Sequence, residues 1–304
     1  MTNKCIACLG QGFVGGSLAT VFASKGFDVY SYDKMGKHGE NVTPCNSLIE
    51  LVHTVEAIKT FSGIYFLCLP TPMLPDGDAD LSIVESVLNE LSQIAGERTV
   101  VIKSTVPPGS TERWNKEYTN LHIVFNPEFL VEATALHDML NQTRIVLGGP
   151  RPWINKVKFI YQQAFPTVPI VKTSSTNAEL TKYVTNCFLA MKVSFANEIY
   201  QICQKLDEQG LNADYDRVIE CATLDPRLGT SHWRVPSFET DENGQALYGF
   251  SLSCFPKDCN ALISLSKKIG VDPKMLSATW LKNLEVRPGK DWCKMLGRAV
   301  SEKK

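Results

Sequence analysis

Two hydrophobic rhythms divide the chain. In the first half, short apolar runs alternate with stretches at helical spacing. Residues 4–9 form a strand-like run, 17–25 read as an amphipathic helix ended by Gly26, and 27–32 read as the next strand. Further strands are predicted at 63–69, 99–103, 122–125 and 144–147. Helices are predicted at 47–53 and from Ser82 to about 94, the second opened by a capping box, Ser82-x-x-Glu85. Strands interleaved with helices predict an α/β architecture, a doubly wound parallel sheet. From residue 177 the pattern turns helical. Residues 177 to about 205 hold neither proline nor glycine, a helix long enough to bridge two domains or to form a subunit interface. Shorter helices are predicted around 213–223, 258–269 and 273–284, and 237–247 reads as a polar, acidic inserted loop. The expected organisation is a sheet domain over 1–176 followed by an all-helical domain over 177–304.

Composition changes this picture little. The 304 residues carry a net charge of −1, which gives no general attraction to nucleic acid or to an anionic membrane. No apolar run approaches the ~18 residues of a membrane span, and Met1-Thr2-Asn3-Lys4 does not read as a signal peptide. Ten cysteines without framework spacing fit reduced thiols in a cytoplasmic protein. Cys5 and Cys8 form a C-x-x-C, but within an apolar run and without a second pair, so no metal site is expected.

Between the first two strands lies Gly10-Gln11-Gly12-Phe13-Val14-Gly15, and Asp33 follows 18 residues after Gly15, at the end of the second strand. Strand before, helix after and an acid on the next strand make this a dinucleotide-binding fingerprint of Rossmann type. Gly10 permits the tight turn, Gly12 lets a pyrophosphate approach the backbone, and Gly15 lets helix pack on strand. Asp33 would accept from ribose hydroxyls and repel a 2′-phosphate, favouring NAD over NADP, while Lys34 beside it softens the preference. Thr71, Thr105 and Glu128 follow strand C-terminal ends, where such sheets bind ligands, although each is also an ordinary turn or cap residue.

The second stretch with chemical promise is Gly249-Phe250-Ser251-Leu252-Ser253-Cys254-Phe255-Pro256-Lys257-Asp258. Pro256 suits the first turn of a helix, so Cys254 would sit at a helix N-terminus, where partial positive charge favours thiolate. On its own the stretch reads more readily as a capped surface helix with a buried cysteine. Lys182 and Asn186, four residues apart on the long helix, share a face and could together stabilise an oxyanion, or simply form a solvated surface.

Taken in order, these segments resemble the nucleotide-sugar dehydrogenases of the UDP-glucose 6-dehydrogenase/GDP-mannose dehydrogenase family. The pieces are Gly10-x-Gly12-x-x-Gly15, Pro70-Thr71-Pro72, Ser104-Thr105-Val106-Pro107-Pro108-Gly109 and Asn126-Pro127-Glu128-Phe129-Leu130-x-Glu132. They continue with Glu179-x-x-Lys182-x-x-x-Asn186, Arg227-Leu228-Gly229 and Cys254-Phe255-Pro256-Lys257-Asp258. The resemblance implies oxidation of a sugar C6 alcohol to a carboxylate with two NAD and no metal, with UDP-glucose as the favoured substrate. GDP-mannose and UDP-N-acetylmannosamine stay open, as does a non-catalytic or partner-dependent protein that keeps NAD.

By the same resemblance Cys254 is the nucleophile, and Lys182 and Asn186 hold the oxyanion. Asp258 and Thr105 place water, and Glu128 is the general base. Gly10, Gly12, Phe13, Val14, Gly15, Asp33, Lys34, Pro70, Thr71, Thr105, Glu132 and Lys257 form the cofactor side. Glu128, Phe129, Leu130, Lys182, Asn186, Phe250 and Cys254 form the sugar side. Arg227 reaches the neighbouring subunit's substrate, which implies a homodimer built on the long helix. Two departures are expected to matter. The chain stops where the family's C-terminal nucleotide-binding domain begins, and Ser251-Leu252 stand where the family has glycines.

Overall fold

The computed structural model describes residues 4–303, so the reading of Met1-Thr2-Asn3 lies outside the described residues. The chain divides into two compact units. The first comprises Met1–Thr71 and Leu81–Lys182, the second Pro72–Asp80 and Tyr183–Lys304.

The first unit begins with β1 (Cys5–Leu9), α1 (Phe13–Ser24), β2 (Asp28–Tyr32), β3 (Thr43–Pro44), α2 (Leu48–Glu56) and β4 (Phe61–Leu67). It continues with α3 (Ser82–Gln93), β5 (Arg98–Ile102), α4 (Ser110–Glu117), β6 (Leu121–Phe125), α5 (Ala135–Leu140), β7 (Ile145–Gly148), α6 (Trp153–Ala164) and β8 (Ile170–Thr173). The strands form one sheet in the order β3-β2-β1-β4-β5-β6-β7-β8.

Strands buried on both faces read as continuous apolar runs, and β1 is buried at every position. Alternate residues feed two cores. Ile6, Cys8, Phe66, Val101 and Val124 pack with α1 and α6, while Ala7, Leu9, Leu67, Ile102 and Phe125 pack with α2 and α3. The expected doubly wound sheet is present, with one difference. β7 pairs antiparallel with β6 through Phe125 and Gly148, and β8 then resumes parallel to β7. The expected capping box also differs, because Leu81 is the N-cap of α3 and Ser82 its first helical residue. Glu85 turns instead to α4, where its Oε1 accepts from Arg113 Nη2 at 2.5 Å and Trp114 Nε1 at 3.2 Å.

At the first strand-to-helix turn, glycine is obligatory twice. Gly10 has φ +82°, and a Cβ there would lie 2.5 Å from the Cys68 carbonyl oxygen. A Cβ on Gly15 would lie 1.9 Å from the Gly10 carbonyl oxygen.

α7 (Ser175–Glu208) runs from the first unit into the second. The second unit adds α8 (Tyr215–Ala222), α9 (Cys254–Lys268) and α10 (Lys274–Val286). The expected loop at 237–247 is a short hairpin rather than an irregular insert. Ser237 N–H donates to the Leu247 carbonyl at 2.8 Å, Leu247 N–H to Glu239 at 3.0 Å, and Thr240 bridges Ala246. Buried Arg287 holds its base, bonding the Glu239 and Asp291 carboxylates and the Tyr248 carbonyl. Among the described residues, no helix is long and apolar enough to cross a membrane.

Candidate active site

The first unit gathers its functional side chains at the C-terminal ends of its parallel strands. After β1, the turn leads into α1, whose N-cap Gly12 has no side chain to occupy the helix terminus. A Cβ on Gly12 would meet nothing within 4 Å, so the backbone stands open there. Asp33 closes this corner. Its Oδ2 accepts from Gln11 N–H at 2.7 Å and its Oδ1 from Met35 N–H at 2.8 Å. A carboxylate has lone pairs beyond these two, so it can still accept from a ribose. Phe13 and Val14 occupy the first turn of α1, and Lys34 is exposed beside Asp33.

The loops after β4 and β5 are joined to each other. Thr71 Oγ1 donates to the Thr105 carbonyl at 2.7 Å, and Leu69 N–H donates to Ser104 Oγ at 2.9 Å. Both threonines are buried, whereas Pro70 is exposed. The loop after β6 carries Glu128, which is 6% exposed. Lys182, from α7, donates to the Glu128 carbonyl at 2.8 Å and to Glu128 Oε1 at 2.7 Å, while Leu130 N–H donates to Oε2 at 2.8 Å. Burial pushes the Glu128 carboxyl up, but the Lys182 charge and hydrogen bonds outweigh it and hold the group below its usual range. Phe129 lies under the Arg144 guanidinium, 4.0 Å from ring centre to Cζ. Glu132 sits half-buried in the short 3₁₀ turn that follows.

Sequence reasoning passed over Lys103. It follows directly on β5 as a lysine after an apolar run, and that contrast was the available signal. It is buried and donates to Asn126 Oδ1 at 3.0 Å, an oxygen it shares with the Tyr161 hydroxyl. Burial brings its ammonium down to about 8. Lys103, Glu128, Phe129, Leu130, His137 and Arg144 line part of a cavity of about 230 Å³.

In the second unit Cys254 is the first residue of α9, with Ser253 as N-cap and no side-chain cap bond. It is half-buried, and its Sγ lies 3.8 Å from Ser253 Oγ. One turn on, Asp258 is 1% exposed and receives two donors, Lys257 Nζ at 2.6 Å and Asn186 Nδ2 at 2.5 Å. The lead into the cysteine is pinned by amides. Phe250 N–H donates to Asn283 Oδ1 at 2.7 Å, Asn283 Nδ2 returns to the Phe250 carbonyl at 3.0 Å, and Gly249 N–H meets Asn197 Oδ1 at 3.3 Å. Asn197 and Asn283 are a second pair that sequence reasoning missed, since amides on helices carry no spacing signal. Leu252 holds φ +60°, a left-handed conformation that suits glycine, and its side chain is exposed. Arg227 projects into solvent and pairs with Asp225. The loop beyond it is fixed by Lys192, which donates to the Leu228 carbonyl at 3.0 Å.

The candidate residues thus form two constellations. The first unit holds two pairs at its strand ends, Thr71 with Thr105 and Glu128 with Lys182, and Asn186, Cys254, Lys257 and Asp258 gather in the second.

Residues 4–165 match the NAD-binding domain of the UDP-glucose/GDP-mannose dehydrogenase family, and residues 176–284 match its central domain. The chain belongs to this family. UDP-glucose 6-dehydrogenase TuaD of Bacillus subtilis is 32% identical over 301 residues, covering 90% of this chain and 62% of the relative. UDP-glucose 6-dehydrogenase AglM of Haloferax volcanii is 31% identical over 309 residues, covering 90% and 68%. Among solved structures, a UDP-glucose dehydrogenase from Pyrobaculum islandicum superimposes with a TM-score of 0.77 at 30% identity, covering 93% of this chain and 68% of that one. The chain therefore spans about two thirds of the length of these family members.

NAD is the cofactor of the first unit, and the residues present fit it. The open backbone at Gly12, the uncapped start of α1 and the acid at Asp33 are what a pyrophosphate and an adenosine ribose require.

The buried ion pair makes a pH-dependent prediction. Replacing Lys182 with Met leaves Glu128 buried without its hydrogen-bonded cation, with only the more distant charge of Lys103 to offset burial, which costs about 3–5 kcal/mol at neutral pH. In the wild type the Glu128 carboxyl is lowered, so its contribution is full above the unfolded value and is lost as pH falls through the folded one. In the Lys182→Met variant the carboxyl takes a proton more readily. The stability gap in denaturant unfolding is therefore expected to narrow from pH 7 to pH 4. A gap that does not change with pH contradicts the pairing.

Proposed function

We propose that the chain is an NAD-dependent dehydrogenase that oxidises the C6 alcohol of a nucleotide sugar, UDP-glucose in the first instance, to the carboxylate. The observation that carries the reading is Cys254 on the first turn of α9, one turn from the buried Asp258 with its two donors.

NAD, when bound, is the hydride acceptor for both oxidations. The chain's own residues supply the rest. The Cys254 thiolate adds to the C6 carbon of the aldehyde and forms a thiohemiacetal, so the reactive aldehyde is not released. The helix start favours that thiolate. Lys182 and the remaining N–H of the Asn186 amide hold the oxygen that becomes negative as sulfur adds. After the second oxidation C6 is a thioester. Water then adds at C6, the carbon–sulfur bond breaks, and the acid leaves with Cys254 restored as thiol. Asp258, one turn along α9 from Cys254, orients that water, and the roles the resemblance gives to Thr105 and Glu128 are second water ligand and general base. Because Glu128 is an ion-paired carboxylate, it is in the form a base requires, and Lys182 passes between pairing it and steadying the oxyanion.

Phe129 and Leu130 serve the substrate in the first unit, Phe250 lies buried in the core of the second and supports the lead into Cys254, and Arg227 contributes across a homodimer. Support for the dimer is a row of exposed apolar residues along α7, namely Val184, Phe188, Phe195 and Ile202. They recur at helical spacing on one face, as a subunit interface requires.

With UDP-glucose and NAD the purified chain is expected to form two NADH per acid. Cys254→Ser is expected to form no acid. A wild type that binds NAD and makes no NADH with UDP-glucose, GDP-mannose or UDP-N-acetylmannosamine rules the reading out. The interface is tested separately by sedimentation. Phe188→Glu with Phe195→Glu is expected to give monomers, and an unchanged sedimentation coefficient argues against the helix as the interface.

A further inference from the structure

Glu179 lies on α7 one turn before Lys182, and its side chain is fully buried. Among the described residues no cation pairs with it. Its partners are two backbone N–H groups at the start of α4. Gly109 N–H donates to Oε2 at 2.6 Å and Thr111 N–H to Oε1 at 2.8 Å. Gly109 is the N-cap of α4, at φ +96°, and has no side chain with which to satisfy those donors. Glu179 therefore caps a helix far away in sequence. Burial raises its carboxyl, and the hydrogen bonds from α4 offset this only in part. A buried carboxylate without a cation is a poor way to gain stability, because desolvation consumes most of what the bonds return. Its value lies in what it holds in place.

Two buried anchors hold the first turns of α7, beside the contacts of Ser175 and Thr176 with Glu112. Glu179 ties them to the far end of the loop 104–109, whose Thr105 carbonyl is bonded to Thr71. Lys182 ties them to the loop after β6 through Glu128. With both in place, the turn that carries Lys182 is held to the start of α4 as well as to Glu128.

We propose that Glu179 is a positioning residue that clamps α7 to the Thr105 loop and so fixes the Lys182–Glu128 pair and the reacting edge of the first unit. Its kinetic consequence rests on the function proposed above, whereas its structural consequence does not.

The experiment compares wild type with Glu179→Gln, which keeps the size but turns an amide donor toward one of the two N–H groups. Glu179→Asp, which keeps the charge and withdraws it by one methylene, is the milder second variant. Amide hydrogen exchange is followed at Gly109, Thr111 and Leu130, together with NAD affinity and steady-state turnover. Exchange is expected to speed up at Gly109 and Thr111 and, across the clamp, at Leu130, whose N–H bonds Glu128. NAD affinity should fall less than turnover, since the phosphate and ribose sites at Gly10–Gly15 and Asp33 lie outside the clamped loop and only Thr105 and its partner Thr71 lie on it. Turnover should fall roughly tenfold or more, since small misalignments of a charged group are costly to rate. Faster exchange confined to Gly109 and Thr111 makes Glu179 a local cap and overturns the proposal, as does unaltered kcat in an active enzyme. If the wild type makes no NADH, the proposed function has failed and the Leu130 exchange alone decides whether Glu179 positions the pair.

Discussion

A buried ammonium and a buried carboxylate each lose water on burial and recover most by meeting, and in this chain one such pair ties a helix to a sheet. Lys182 meets Glu128 through both a side-chain oxygen and the backbone carbonyl, with almost no solvent near either group. The pair ties the first turns of α7 to the loop after β6. Leu130 N–H then takes the second carboxylate oxygen, so the loop bearing Phe129 and Leu130 is set by the same carboxylate. Lys103, drawn down to about 8 by burial, stands behind this group on Asn126. The first unit thus concentrates charge where its parallel strands end, the place where a doubly wound sheet receives ligands.

The second unit solves a different problem, that of presenting a thiol at a helix start without losing the backbone leading into it. Asn283 and Asn197 grip residues 249 and 250 by their amide groups. Pro256 is compatible with the first helical turn, and Asp258 is neutralised by Lys257 and oriented by Asn186. Leu252 keeps the left-handed backbone that glycine would adopt, and its side chain is directed outward. The chain therefore places a bulky residue in a backbone conformation that suits glycine, and accepts local strain to do so.

What was legible in the amino-acid sequence was whatever depends on local sterics or short spacing. Gly10 and Gly15 announce themselves because no Cβ fits there, and Pro256 two residues after Cys254 marks a helix start. The strands at β1, β4, β5 and β6 were legible as unbroken apolar runs. Long-range pairings were not. Glu85 looked like the partner of Ser82, yet it serves Arg113 and Trp114, because a carboxylate takes the better donors that the fold brings to it. The antiparallel β6–β7 contact is set by how the connection through α5 returns to the sheet, and no periodicity reports that. The hairpin at 237–247 depends on Arg287, far along the chain. Lys103 and Glu179 belong to the same class, since their importance comes from burial and from partners distant in sequence.

The account stands or falls on sulfur chemistry at the start of α9. The most direct measurement is mass spectrometry of the chain quenched in acid during turnover of UDP-glucose and NAD, with peptides mapped for added mass. The account predicts a uronyl adduct on the peptide containing Cys254 and on no other cysteine. NADH formation with that peptide unmodified at every time point, or an adduct on a different cysteine, contradicts it.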